Sequence, residues 1–414
     1  MKKVYSFATK KVALLFALMF IGVTLSAQQG GGLMLYEVAT PNIGNANAGQ
    51  SAVAHDASTA YFNPAAMSEV KDQSWLVGIQ GMLPKFNFES TESAYPNDNA
   101  GKFTPSLAVY WLKHLSDKWT IGATLNFPMG SSLDYGDNWE GKYYLTKATI
   151  AVANIAPAAS FKLSEKVSFG VAANFYIGML SEDIAIPSVI TGAPDGEANI
   201  DGTSFSMGFQ FGFHYRPNST LSLGLTYRYK STIDFQGDAD ATNYFINGEK
   251  YTSARYSTDM LIPHGVNFSI SKYFGDVELL FDLGYCNWAG FDYQSIILKE
   301  EYDAHIERKW QDTYRVGLGG NYFINDKWTV RAGLSFDSSP VDEQYRTPDL
   351  PLSGVYRFGA GGTMRINDKF DLSLSYNFML GIDNDLNQVS NLKGNLIGTY
   401  DPTNIHTIAI SLGF

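Results

Sequence analysis

The sequence predicts an all-β chain that folds as an antiparallel transmembrane β-barrel of about fourteen strands. Three observations carry that prediction. The first is a repeated run of alternating side chains. After Asn325-Asp326-Lys327, the apolar Trp328, Val330, Ala332, Leu334 and Phe336 alternate with Thr329, Arg331, Gly333, Ser335 and Asp337. Similar runs follow Asp117-Lys118, Glu165-Lys166, Asn218-Ser219 and Asp368-Lys369. Successive side chains of a strand point to opposite faces, so each run sets one face against oil and the other against water or small polar groups. The second observation is an export signal. The third is a strict alternation of short and long connections.

Residues 1–27 read as a signal peptide. Lys2, Lys3, Lys10 and Lys11 make a basic start, Val12 to Leu25 an apolar core, and Leu25-Ser26-Ala27 ends in a small residue before Gln28. The apolar stretch falls short of the ~20 residues that span a bilayer comfortably. No Cys follows the cleavage site, so a lipoprotein anchor is excluded. No later segment is a long apolar run, which argues against a helical membrane protein.

Composition agrees. The chain has 25 Tyr, 27 Phe and 7 Trp, and barrels use aromatics as girdles at both membrane interfaces. The 39 Gly suit small inward positions. The net charge is −11, and removal of the basic signal peptide makes it more negative. A nucleic-acid partner, which needs a basic face, is excluded. One cysteine, Cys286, rules out an internal disulfide and reads as a small buried or lipid-facing residue.

Strands are expected near 74–84, 103–114, 118–128, 149–163, 166–180, 203–216, 219–235, 256–272, 276–288, 311–324, 327–338, 353–366, 369–380 and 402–414. Turn residues such as Asn218, Gly275, Asn325-Asp326 and Asn367-Asp368 mark the short connections. The long ones lie near 86–102, 129–148, 181–202, 236–255, 289–310, 339–352 and 381–401. Short turns on one side and long loops on the other is the bacterial outer-membrane arrangement, with the long loops outside. An even strand number leaves both barrel ends on the periplasmic side. In the last strand Ile408, Ile410, Leu412 and Phe414 alternate with Thr407, Ala409, Ser411 and Gly413. A terminal strand ending in an aromatic resembles the signal read by the barrel assembly machinery.

Residues 28–71 break the pattern. They are rich in Gly, Ala and Asn, lack period-two alternation, and read as a compact non-barrel segment ahead of the barrel at 72–414. Within them, Leu35-Tyr36-Glu37-Val38-Ala39-Thr40-Pro41-Asn42-Ile43-Gly44-Asn45-Ala46-Asn47-Ala48-Gly49 and the run from Ala54 to Met67, with Asn63-Pro64-Ala65, resemble the FadL/TodX family. So do Phe127-Pro128-Met129-Gly130, Trp139-Glu140-Gly141-Lys142-Tyr143, the run from Arg331 to Val341, and Leu350-Pro351. The resemblance implies that segment 28–71 is a plug, or hatch, inside the lumen. It further implies passive uptake of hydrophobic compounds, long-chain fatty acids or hydrocarbons, with hatch movement and lateral exit at a kink in the third strand. Pro128 cannot donate to a ladder and Gly130 allows unusual backbone angles, so both suit a perturbed strand; the competing expectation is that they end the strand at a loop.

The candidate substrate-binding residues are Leu33, Leu35 and Tyr36 of the hatch and the inward-facing Arg228, Arg315, Arg331 and Arg357, with Arg365 in the same class. An arginine holds a carboxylate with two parallel hydrogen bonds; pairing with Asp337, Asp371 or the plug is the alternative. Gly30-Gly31-Gly32 reads as a flexible tether that lets the following residues move. Leu133, Tyr135, Trp139, Tyr143, Tyr144, Ile184, Ile186, Val189 and Ile190 in the long loops suit a greasy capture surface or mutual packing. The six His (His55, His114, His214, His264, His305 and His406) have no metal-ligand spacing, and no nucleophile elbow or phosphate loop occurs. No catalytic residue, metal or cofactor is expected, and the chain is expected to be a monomer among outer-membrane lipids. An aqueous porin and a structural or adhesive barrel are the alternatives. A porin has no use for a forty-residue plug in a barrel of this size.

Overall fold

The computed structural model describes residues 33–70, 74–92, 98–188, 194–246, 249–298, 302–391 and 393–414. The signal peptide and the Gly30–Gly32 tether lie outside the described residues, as do Val189 and Ile190. Strand segments join in one closed antiparallel sheet. β1 (Ser74–Ser90), β2 (Thr104–His114), β3 (Trp119–Asp134), β4 (Lys147–Ser164), β5 (Val167–Ile186) and β6 (Gly196–Asn218) are the first six staves of the barrel. β7 (Leu221–Arg228) and β8 (Ser231–Ile246) make the seventh, and β9 (Glu249–Ile262) and β10 (Gly265–Phe274) the eighth. β11 (Val277–Cys286) with β12 (Tyr293–Leu298), and β13 (Tyr302–Glu307) with β14 (Thr313–Phe323), make the ninth and tenth. β15 (Trp328–Asp337), β16 (Gly354–Asn367), β17 (Phe370–Ile382), the short β18 (Asp385–Gln388) and β19 (Leu396–Gly413) follow. β18 pairs only with the upper end of β19, which leaves fourteen staves. Pairing of β1 with β19, from Leu76↔Gly413 to Ser90↔Gly398, closes the barrel. No helix of the described residues is long and apolar enough to cross a membrane; the strands cross it.

The alternation works as the sequence requires. Leu225, Val316, Leu318, Leu334, Ile408 and Ile410 stand exposed on the outer wall, where hydrocarbon covers them. Trp119, Phe274, Trp328 and Phe414 ring the end with the short turns, while Tyr227, Tyr229, Tyr293 and Tyr314 mark the other rim. Several segments expected to be loops are strands instead. β3 runs on to Asp134, β5 to Ile186, and β8–β9 and β12–β13 are hairpins above the wall. On β8, past the expected strand end at 235, the exposed Gln236, Asp238 and Asp240 alternate with the half-buried Gly237 and Ala239. Above the bilayer the outer face is polar, so the oil-facing signature ends while the strand continues.

Residues 33–70 fill the lumen. A 3-10 turn at Pro41–Asn45, a short helix at Thr59–Phe62 and a 3-10 turn at Pro64–Glu69 carry it. Each 3-10 turn begins with a proline, whose fixed φ suits the first helical position. The wall meets the plug closely enough to require glycine: a Cβ on Gly78 would fall on the carbonyl oxygen of Ala39, and one on Gly224 on that of Ser51.

Candidate functional site

Asn63-Pro64-Ala65 is a fastening point. Asn63 is fully buried. Its Nδ2 donates to the carbonyls of Ser51 at 2.6 Å and Phe213 at 3.1 Å, and its Oδ1 accepts from Ala65 N–H at 3.0 Å. The Ala65 carbonyl accepts from Ser160 at 2.9 Å and Ser168 at 2.8 Å. Three residues thus tie the hatch to β4, β5 and β6. Gln80 on β1 donates to the Glu37 carbonyl at 2.8 Å and accepts from Ala39 N–H at 2.6 Å. Tyr110 on β2 donates to the Val38 carbonyl at 2.6 Å. Buried hydrogen bonds contribute ~1 kcal/mol each and cost more when broken on one side, so the hatch from Val38 onward is held as part of the wall.

The arginines divide. Arg315 lies 2.9 Å from Asp337 and 3.4 Å from Asp282, and donates to the Ala46 carbonyl at 2.6 Å. Arg357 pairs with Asp337 and, at 3.2 Å, with Glu37 of the hatch. Both guanidiniums lie against the Tyr36 ring, at 4.3 Å and 5.4 Å from its centre. Arg315 and Arg357 therefore clamp the hatch rather than stand open to a ligand. Arg331 donates to Asn321 and Thr363, and Arg365 pairs with Asp371. Arg228 lines a small cavity between hatch and wall, beside Tyr36, Tyr61, Gln210, Asn267 and Cys286. Asp337 is the pairing partner that the sequence offers, and it takes both Arg315 and Arg357. Asp282 and Glu37 escaped the sequence reading, and for Asp282 its place on the neighbouring β11 was the available signal.

Leu33 and Met34 pack into an apolar chamber with Met129, Tyr176, Phe235, Met260, Trp288 and Trp310. Leu35 packs on the opposite side with Phe86, Phe88, Leu133, Trp139 and Tyr400. Leu133 and Trp139 are buried there, so these two pack inward, while Tyr135, Tyr143, Tyr144, Ile184 and Ile186 are half-buried.

The third stave is broken beside these residues. β3 pairs with β2 only from Thr120 to Leu125, and its register with β4 shifts between Asn126 and Met129. Higher up, Gly101 bridges Leu133. Between these points β3 has no ladder partner on its β2 side. Pro128 lacks an N–H, yet the strand does not end there. Gly130 is not among the positive-φ glycines, which are Gly49, Gly136, Gly275 and Gly394; its conformational freedom is not used. The hatch closes onto the break: Leu35 N–H donates to the Pro128 carbonyl at 2.8 Å, and Met34 bridges Met129. No group of three His, Cys, Asp or Glu among the described residues is placed to hold a metal.

Residues 22–412 match the family model described as outer membrane protein transport protein (OMPP1/FadL/TodX). The long-chain fatty acid transport protein of Salmonella typhi is 24% identical over 357 residues, covering 77% of this chain and 80% of that protein. Its counterpart in Escherichia coli K12 is 23% identical over 377 residues, covering 80% and 84%. Among solved structures, a Pseudomonas aeruginosa FadL homologue superposes with a TM-score of 0.84 at 18% identity, covering 92% of this chain and 99% of that one. The Pseudomonas putida toluene transporter TodX does so at 0.69 and 15%, covering 94% and 98%. Barrel, lumen segment and sequence match agree, and the chain belongs to the OMPP1/FadL/TodX family of outer membrane transport proteins.

Proposed function

We propose that this protein takes up hydrophobic compounds, long-chain fatty acids foremost, by diffusion, with the hatch tip as the gate. The observation that carries the reading is the contact of Leu33–Leu35 with both the apolar chamber and the unpaired stretch of β3. A ligand in the chamber competes for the surface that Leu33 and Met34 cover. Each buried CH₂ contributes ~0.8 kcal/mol, so a few methylenes offset the single Leu35–Pro128 hydrogen bond, worth ~1 kcal/mol. Release of the tip joins the chamber to the break in the wall, and the compound leaves sideways. Glu37 and the residues after it stay seated. Arg228 is the contact for a substrate carboxylate, because Arg315 and Arg357 are occupied by acids.

The names of the relatives support both cargo classes: fatty acids in Escherichia coli and toluene in Pseudomonas putida. The filled lumen disfavours an aqueous porin. The test is uptake of hexadecanoate and of toluene by cells that lack their own uptake protein and express this one. Both are expected to enter, and Arg228→Met is expected to slow hexadecanoate alone. Passage of small sugars with no gain for either hydrophobic compound would overturn it.

A further inference from the structure

A second discontinuity interrupts the wall, away from the third stave. β6 pairs with β7 from Asn218↔Leu221 up to Gln210↔Arg228, and with β8 from Thr203↔Gln236 upward. Between these ladders Ser204–Phe209 and Tyr229–Phe235 face each other without register pairing. Tyr229 N–H donates to the Phe209 carbonyl at 2.9 Å. Above it, serine hydroxyls join the strands. Ser231 Oγ donates to the Met207 carbonyl at 3.0 Å, Ser206 Oγ to the Thr232 carbonyl at 2.6 Å, and the two hydroxyls lie 2.6 Å apart. Ser204 Oγ is buried without a hydrogen-bond partner. A hydroxyl turns about one side-chain bond and so lets go without moving the backbone, which a ladder amide cannot do.

The inner side of this seam is apolar, and the outer side is apolar along β6 and polar along the facing strand, where Lys230, Thr232 and Asp234 are exposed. Outside, Phe205 is 70% exposed and Met207 50%, in line with the oil-facing Phe209 and Phe211. Inside, Tyr176, Ile233 and Phe235 cover it, all nearly fully buried and all part of the chamber that holds Leu33 and Met34. At its foot stands Arg228. The seam therefore lies at the outer rim of the hydrocarbon, where the oil-facing row of β6 ends at Phe205, and one layer of side chains separates it from the chamber.

We infer that the seam between β6 and β8 is a second lateral port, through which hydrophobic compounds already dissolved in the outer leaflet reach the chamber. This rests on the transport reading above. A long alkyl chain gains ~0.8 kcal/mol per CH₂ on leaving water, so its stock lies in the bilayer and hardly any is free for loops to catch. A wall port draws on that stock directly.

The test seals the seam. Ser206→Cys with Ser231→Cys places two thiols where the hydroxyls now touch, and oxidation joins the strands. The full-length protein in vesicles is given a diazirine-bearing hexadecanoic acid by two routes: premixed in the lipid, or supplied in the buffer on albumin. Brief illumination and mass spectrometry follow the initial rate of labelling on the peptides carrying Trp288 and Trp310. Oxidation is expected to slow labelling from the lipid about tenfold, the change that ~1.4 kcal/mol of added barrier brings. Labelling from the buffer should hold, and reductant should restore the lipid route. Ser206→Cys alone, oxidised, controls for Cys286. Ser206→Ala with Ser231→Ala, which removes the hydroxyl links, should speed the lipid route. Equal lipid labelling before and after oxidation, or equal slowing of both routes, would overturn the port. Chamber labelling from the buffer alone in the reduced protein would overturn the port and leave the transport reading standing. Labelling by neither route would sink both.

Discussion

Glu37→Gln should loosen the top of the hatch while the barrel stays folded. The buried chain Asp282–Arg315–Asp337–Arg357–Glu37 sets three carboxylates against two guanidiniums, a net charge of −1. Glutamine removes the surplus negative charge and leaves Arg315 with Asp282 and Arg357 with Asp337. The loss is the charged link from the upper hatch to β16. A hydrogen bond to a charged group is worth ~1.5–3 kcal/mol. Local opening becomes easier by that amount, so amide protection over residues 37–48 should fall ~10–150-fold, at ~1.4 kcal/mol per factor of ten. Arg357→Gln acts differently, because it removes a cation and leaves a net charge of −2 with Glu37 stripped of its guanidinium. Breaking a buried pair from one side costs ~3–5 kcal/mol and should lower the melting temperature of the whole barrel. Hydrogen exchange by mass spectrometry on the purified full-length protein, with a thermal melt beside it, reads both. Unchanged protection over 37–48 in Glu37→Gln, or equal melting losses in the two variants, would refute the reasoning.

The lower hatch should respond to pH through His55, whose Nε2 lies 3.1 Å from Glu278 and 3.0 Å from the Tyr273 hydroxyl. Burial pulls the imidazolium down, Glu278 and more weakly Asp56 raise it, Arg331 opposes them, and the net shift is upward. The stabilisation is then fully present below the unfolded pKa of ~6.5 and is lost as pH rises through the shifted value. The opening free energy of residues 50–62 should fall with alkaline pH, and His55→Gln should flatten that dependence. A Cβ on Gly224 falls on the Ser51 carbonyl oxygen, so Gly224→Val should unseat the hatch body at ~1–3 kcal/mol, as overpacking does. Proteolysis of the hatch in intact barrels checks this, and a hatch as resistant as the native one would contradict it.

The staves were legible because each carries an oil-facing row at period two, as in Leu334 and Phe336 beside Gly333 and Ser335. The upper parts of the hairpins were not, since beyond the expected strand end at 235 Gln236, Asp238 and Asp240 face out and only small residues, Gly237 and Ala239, face in. Arg228, Arg315 and Arg357 look alike in sequence. Cross-strand register, which a single sequence hides, sets Asp337 opposite Arg315 and brings Glu37 to Arg357. The break at Pro128 was half legible: proline forbids one donor, but the missing β2 ladder depends on where β2 turns away. Asn63-Pro64-Ala65 stood out as a motif, while its carbonyl and amide partners on three strands appear only in the fold.

The claim at the centre is that Leu33–Leu35 must leave the third stave for a compound to pass. Met34 and Met129 form a bridge pair, whose spacing suits a disulfide. Met34→Cys with Met129→Cys therefore locks the tip when oxidised. Hexadecanoate uptake is expected to stop in the oxidised protein and to return on reduction. Uptake at the same rate in both states would contradict the account.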